Sequence, residues 1–340
     1  MQSQSRSRHL ATLCLVAWPA TRTTEQVPHT IFAPGVVSTD AYEYGLSATP
    51  SGDTVYFTRR ADSRSTPRLW TAVRDSTGRW RDTGPVPFST TEGDEYPSVS
   101  PDGRRLYFAS RRPLQAGGPS GRFNRVWVSR REDGSWGKPS PVLIQGFEDR
   151  MASHPLEAPD GSLYFHSRDV TDPRDVDAYR APPATSGFGT PQRLSFNSPA
   201  VDGEVSLAAA GDRLVFYSER PGGAGGGDLY GVMWVDGRWG PARNLGPTVN
   251  TGETEWTPSL SADGSQLYFA RLSGNGAQSD IHMVSTPRLG VGRAPAVEYS
   301  EGRWWDGARF VPRTMYVRDG QFVTHPGRTV RTVTSRGFAR

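Results

Sequence analysis

One phrase constrains this chain more than any other: an apolar run ending in an aromatic pair, met five times. The pairs are Tyr56-Phe57, Tyr107-Phe108, Tyr164-Phe165, Phe216-Tyr217 and Tyr268-Phe269, at spacings of 51, 57, 52 and 52 residues. The flanking wording is shared as well, from SPDGRRLYFASRR (100–112) to SADGSQLYFAR (261–271). A unit recurring at a period of about fifty residues cannot bury its apolar face alone, so its copies must stack on one another. With 38 Gly and 28 Pro against 35% hydrophobic residues, the units are expected to be short strands and many turns.

Each unit divides into four strands. A run such as YPSVS leads to Asp102-Gly103, a pair expected to form a type I′ hairpin turn. The next strand places Leu106 and Phe108 on one face and Tyr107 on the other. A Gly- and Pro-rich loop follows, then a third strand such as RVWVSRR or DLYGVMWV, and a second turn at Asp133-Gly134 or Asp236-Gly237. The fourth strand opens on an aromatic residue, as in GRW (78–80), GSW (134–136) and GRW (237–239). Tandem four-stranded antiparallel units of this kind define an all-β chain folded as a β-propeller, with five full repeats over 27–287. Segment 31–53 matches 244–264, so the chain is expected to start with a fourth strand, at about 28–39, that completes the last blade. Such closure removes both free sheet edges.

The repeats resemble those of TolB-like propellers, through the SPDGRRLYFASRR and SADGSQLYFAR phrases and the DLYGV-type third strand. That resemblance implies a fold and leaves function open, because such repeats serve binding, scaffolding and regulatory proteins alike. Family members commonly have six blades, and a sixth is available only from the basic tail, 288–340. The tail phrase YSEGRWWDGARFVPRTMYVRDGQFV resembles the first strands of amidohydrolases, so it is either part of a sixth blade or the remnant of a fused enzyme. No His-x-His pair accompanies it.

Charge and cysteine content narrow the function. The net charge is +4, but the basic excess lies in the two ends, and acids interleave with arginines in the body. A nucleic-acid partner is therefore not expected. Cys14 is the only cysteine, which excludes an internal disulfide. Arg6, Arg8 and His9 precede the apolar run Leu10 to Trp18, so 1–26 reads as an export signal or a disordered leader. The mature chain is expected to be a periplasmic or secreted monomer, with no run of apolar residues long enough to span a membrane.

The chain lacks a Gly-x-Ser-x-Gly elbow, and Gly222 to Gly227 lies between two strands where no helix follows to bind phosphate. One polar pattern does recur. Acids precede each first strand: Asp40 and Glu43; Glu92, Asp94 and Glu95; Glu148 and Asp149; Asp202 and Glu204; Glu253 and Glu255. First strands line a propeller's channel, so Glu43, Glu95, Asp149, Glu204 and Glu255 are candidates for an acidic rim that takes Ca2+, a small ligand or a basic peptide of a protein partner. Each repeat also carries an arginine after its second strand: Arg60, Arg112, Arg168, Arg220 and Arg271. Acid and arginine recurring together equally describe ion pairs that fix blade geometry. The function expected is a non-catalytic binding or scaffold propeller; the alternative is a propeller hydrolase or a fragment of an amidohydrolase fusion.

Overall fold

The computed structural model describes residues 29–168, 175–235, 237–274 and 276–286, and the backbone pairing of three strands between 298 and 324. The leader 1–26, the Asp306-Gly307 and Asp319-Gly320 turns, and Asp236 lie outside the described residues.

Five antiparallel blades follow one another, and their first strands surround one axis: Tyr42–Ala48, Glu95–Val99, Ser153–Glu157, Asp202–Leu207 and Thr254–Leu260. The second strands are Thr54–Arg60, Arg105–Ser110, Leu163–Arg168, Arg213–Ser218 and Gln266–Leu272. The third are Arg68–Arg74, Arg125–Glu132, Val176–Ala181, Asp228–Val235 and Ser279–Ser285. Outermost strands are short, two residues each in blades 2 to 5 and longest in blade 1, Trp80–Pro85. The chain is a five-bladed β-propeller, without an α-helix among the described residues. In particular, no helix there is long and apolar enough to cross a membrane.

The aromatic pair marks the repeat because both faces of a blade are buried. Phe57, Phe108, Phe165, Phe216 and Phe269 each pack against the preceding blade, and Tyr56, Tyr107, Tyr164 and Tyr268 against the following one. Successive strand residues point to opposite faces, so two adjacent aromatics serve two interfaces. Blade 4 departs by one residue: Val215 occupies the tyrosine's interface, Phe216 keeps the phenylalanine's, and Tyr217 falls one step further on. Each Phe also lies opposite a third-strand ring, namely Trp70, Trp127, Tyr179, Tyr230 and His282. Cross-strand aromatic pairs of this kind stabilise a sheet beyond the area they bury.

The hairpins between first and second strands are not type I′. At Gly52, Gly103, Gly161, Gly211 and Gly264 the N–H donates to the carbonyl three residues back, and only the glycine has positive φ. These are type I turns followed by a left-handed glycine, in four-residue loops except for the three-residue loop of blade 3, where Ala158 N–H donates to Ser162 O. Asp133-Gly134, with φ of 47° and 83°, does adopt the primed geometry.

Thr30–Ile31 pairs antiparallel with His282 and Met283 of blade 5, and Phe32 N–H donates to Ile281 O at 2.7 Å. The N-terminal segment thus supplies blade 5 with its outer strand, and five blades close the ring. In the tail, Glu298–Trp305, Phe310–Arg318 and Gln321–Thr324 form a separate three-stranded antiparallel sheet.

Candidate functional site on the axis

Every first strand carries a β-bulge at the same place. The register with the second strand slips after Tyr44, Glu95, Ser153, Gly203 and Trp256. The next residues, Gly45, Tyr96, His154, Glu204 and Thr257, all have positive φ, between 46° and 60°. An extra residue reverses which side chains face the neighbouring strand. The bulge therefore decides which acids join the frame and which reach the axis.

Two residues before the bulge stand Glu43, Asp94, Asp202 and Glu255, each with a fully enclosed side chain and each bound to an arginine. The pairs are Glu43–Arg59 at 2.8 Å, Asp94–Arg112 at 2.7 Å, Asp202–Arg220 at 2.6 Å and Glu255–Arg271 at 2.7 Å. Each carboxylate also accepts the backbone N–H of the residue four before it: Thr39, Thr90, Ser198 or Thr251. Each arginine donates in addition to a carbonyl of the segment entering its blade, at Val36, Phe88, Phe196 or Val249. Its guanidinium covers the blade's phenylalanine, between 5.0 and 5.6 Å from the ring centroid. Charged groups this enclosed are tolerable only when fully paired, and these are. Blade 3 has Ala152 in the acid's place and uses Asp177 with Arg193 instead.

The sequence-selected residues thus fall into three groups. Glu43 and Glu255 belong to the frame. Asp149 is fully exposed, 3.7 Å from Arg125, and not on the axis wall. Glu95 and Glu204 face the axis without an arginine. Among the arginines, Arg112, Arg220 and Arg271 hold frame acids, but Asp94 and Asp202 are the partners of the first two, not their neighbours Glu95 and Glu204. In blade 1 Arg59 takes the frame role, and Arg60 lies over the rings of Tyr42 and Tyr44, at 4.7 and 4.9 Å. Arg168 is exposed at the end of its strand.

Around the axis, Tyr44 stacks on Trp256 at 4.7 Å, and its hydroxyl donates to Glu95 Oε2 at 2.6 Å. Asn124 Nδ2 donates to Glu95 Oε1, also at 2.6 Å. Tyr96 meets His154 at 5.2 Å, and His154 stacks on His166 at 6.2 Å. Glu204 N–H donates to His166 Nδ1, and the Glu204 carboxylate accepts Thr257 N–H at 2.8 Å. Gly45 N–H donates to Thr257 Oγ1 and Tyr96 N–H to Thr58 Oγ1. Four of the five blade junctions are clipped this way. At the fifth, Ala109 stands where Thr58 and His166 stand in their own blades, and it has no side-chain acceptor.

Enclosure shifts these groups away from their charged forms. Burial, reinforced by Glu95 and Glu219, pushes Glu204 up to about 7. Burial holds His154 down to about 3, helped by His166, and His166 to about 4, helped by Arg168. The axis at neutral pH therefore has two neutral imidazoles beside a carboxyl poised to titrate. Arg60 Nε, His154 Nδ1 and Trp256 Nε1 are enclosed without a hydrogen-bond partner among the described residues. No group of three or more His, Cys, Asp or Glu among the described residues is arranged to hold a metal ion.

Below the bulge ring the axis opens into a funnel of about 200 Å³ at the hairpin face, opposite the frame acids. All five first strands line it, His154 included. The acids expected from the sequence as a rim lie toward the other mouth, and none of them is a residue of the funnel. Its signal was present: Ser47, Ser98, Ser206 and Ser259 stand two residues after the bulge in four of the five repeats. A second cavity, about 440 Å³, lies off the axis at the seam of blades 1 and 5 beside Phe32, Trp80 and Tyr268.

No family model and no curated protein matches the chain. Solved structures do resemble it. TolB from Acinetobacter baumannii is 16% identical over 72% of this chain and 55% of its own, at a TM-score of 0.44. This chain thus spans little more than half of that protein. XC5397 from Xanthomonas campestris, a gluconolactonase, is 15% identical over 82% and 83%, at a TM-score of 0.40. A thermostable family-43 glycoside hydrolase is 11% identical over 92% and 100%, at a TM-score of 0.48. At such identities a likeness concerns fold alone, and these activities belong to those proteins.

Proposed function

We propose that this is a binding propeller of an exported compartment, periplasmic or secreted, that receives a small ligand on its axis. The observation that carries the reading is a contrast between the two mouths. The frame acids have their oxygens occupied by arginine, backbone and hydroxyl donors, whereas the axial cavity is built by all five blades and has His154 in its wall. Loops and strand ends from several blades meeting at one cavity are where propellers place their sites. Export rests on the basic residues and apolar run between Arg6 and Ala20.

The test is a thermal-shift screen of neutral, cationic and anionic metabolites and calcium, on the wild type and on Ala209→Trp. Ala209 is an exposed lip residue of the funnel, so the indole fills the cavity without entering a core. A compound that raises the melting temperature of the wild type and not of the variant supports the reading. A screen without any such compound sinks it.

A second reading has one specific observation in its favour. Glu204, held at about 7, carries an exchangeable proton at neutral pH, and Glu95 faces the same axis. Two carboxyls in unlike environments are the pattern of acid–base hydrolysis. Turnover of a screened compound that disappears in Glu204→Gln would establish this reading over plain binding.

A further inference from the structure

We infer that the funnel takes a small, uncharged, polyhydroxylated molecule, about the size of a single sugar ring. This deepens the binding reading and rests on it. The charge of the lining argues first. Its carboxylate, Glu157, is held by Arg105 through two hydrogen bonds of 2.8 and 3.0 Å. His154, at the funnel's inner end, is an imidazole enclosed beside His166 and Tyr96. A charged ligand would lose its hydration there and meet no free counter-charge, which is strongly unfavourable. A neutral one carries no such penalty.

The hydroxyl pattern argues second. Ser47 Oγ accepts Val99 N–H at 3.0 Å and Ser206 Oγ accepts Leu260 N–H at 2.8 Å, each from the following blade. A serine oxygen used as acceptor keeps its own O–H to donate. Ser98 and Ser259, at the equivalent positions of blades 2 and 5, line the same cavity. Four serines from four blades therefore stand around one small space, with His154 at its inner end. Converging hydroxyls of this kind match a ligand with several hydroxyls of its own, each able to donate and accept.

The prolines argue third. Pro97, Pro155 and Pro258 each follow the bulge directly. They are tolerated because a first strand is an edge on its axial side, where no ladder bond is lost. Their rings give the wall apolar C–H surface between the hydroxyls. A pyranose or furanose ring, apolar on its faces and polar at its rim, has the complementary distribution. The volume, about 200 Å³, admits one such ring and no chain of them.

The experiment is titration calorimetry, with saturation-transfer NMR, using glucose, galactose, xylose and arabinose as neutral probes and glucuronate and glucosamine as charged ones. At least one neutral sugar is expected to bind the full chain. Ser98→Ala/Ser259→Ala should weaken it at least tenfold, and Ala209→Trp should abolish it. Both charged probes should fail to bind. Failure of all four neutral sugars at millimolar concentration overturns the ligand class, as does unchanged sugar binding in Ala209→Trp. If a charged metabolite binds instead and Ala209→Trp blocks it, axial binding stands and the polyol inference falls. If nothing binds in either experiment, both fall.

Discussion

The Glu204 carboxylate accepts the backbone N–H of Thr257 at 2.8 Å, so an axial acid is also the clip between blades 4 and 5. Thr257 in turn offers its Oγ1 to Gly45 N–H, which carries the same connection on to blade 1. Replacing Glu204 by Ala leaves a buried N–H unpaired and should cost about 1–3 kcal/mol in chemical denaturation. Glu204→Gln retains an acceptor and should lose much less. Because the folded-state value is raised to about 7 from an ordinary 4.5, the wild type is favoured most below about 4.5 and loses that contribution as pH rises through 7. The loss is on the order of 3 kcal/mol. The Gln variant should lack this part of the slope, and an identical pH profile in both proteins would contradict the assignment.

Asp94 has a fully enclosed side chain and accepts Arg112 through both oxygens, at 2.8 and 2.7 Å. Removing it strands a nearly buried guanidinium, and Asp94→Ala is expected to cost about 3–5 kcal/mol. Asp149→Ala should leave the melting temperature unchanged, since that side chain is wholly in solvent. Equal melting temperatures for the two variants would refute the division between frame acid and free acid.

This division is where the sequence stopped being legible. The aromatic pair fixed the repeat and the blade count, because a blade buried on both faces needs two adjacent large side chains. The match of 31–53 to 244–264 located the closing strand. The recurrence of acid with arginine was visible too, but not which acid. Asp94 and Glu95 are neighbours, and an ordinary strand would send one to each face. The bulge at Tyr96 sets which of the two meets the arginine, and no residue type marks it, since Gly, Tyr, His, Glu and Thr all occupy the bulged position. The hairpin class is ambiguous in the sequence for a related reason: Asp-Gly serves both classes, and the turn start at Ser100 or Ser261 decides between them.

The bulge ring itself makes a testable claim at its single glycine. Gly45 has φ of 60°, and a Cβ there would sit 3.3 Å from Tyr96 Cδ1 and 3.4 Å from Thr58 Oγ1. Left-handed backbone plus tight contact should make Gly45→Ala cost about 1–2 kcal/mol. Gly35, also left-handed at φ of 76°, has open space around it, so Gly35→Ala carries the backbone part alone. The difference in denaturation midpoint between the two variants measures the contact. A smaller loss at Gly45 than at Gly35 would contradict the packing described for the axis.

The ring's closure should be sensitive to acid. His29, just before the closing strand, meets His282 at 4.9 Å and contacts the Arg271 guanidinium, which Glu255 holds from its other side. Burial lowers both imidazoles, Arg271 lowers them further, and His282 reaches about 3. Glu255 and a backbone bond to Thr248 act on His29 in the raising direction and do not prevail. A depressed folded-state value means that the closure is fully stable above the ordinary 6.5 and weakens as pH falls from there toward about 3. His154 and His166 on the axis share this sign, so global unfolding cannot isolate the closure. Hydrogen exchange at Phe32 N–H can, because its bond to Ile281 O is part of the closing strand itself. Exchange there, corrected for intrinsic rate, should speed up at pH 5 relative to pH 7.5 more than at Gly103 N–H, which sits in a hairpin of blade 2. His282→Phe keeps a ring against Phe269, which His282 stacks on at 5.7 Å, and removes the imidazole that takes up a proton when the closure opens, so it should flatten the difference. Equal acid acceleration at Phe32 in the variant and the wild type would show that the histidine pair does not govern the closure.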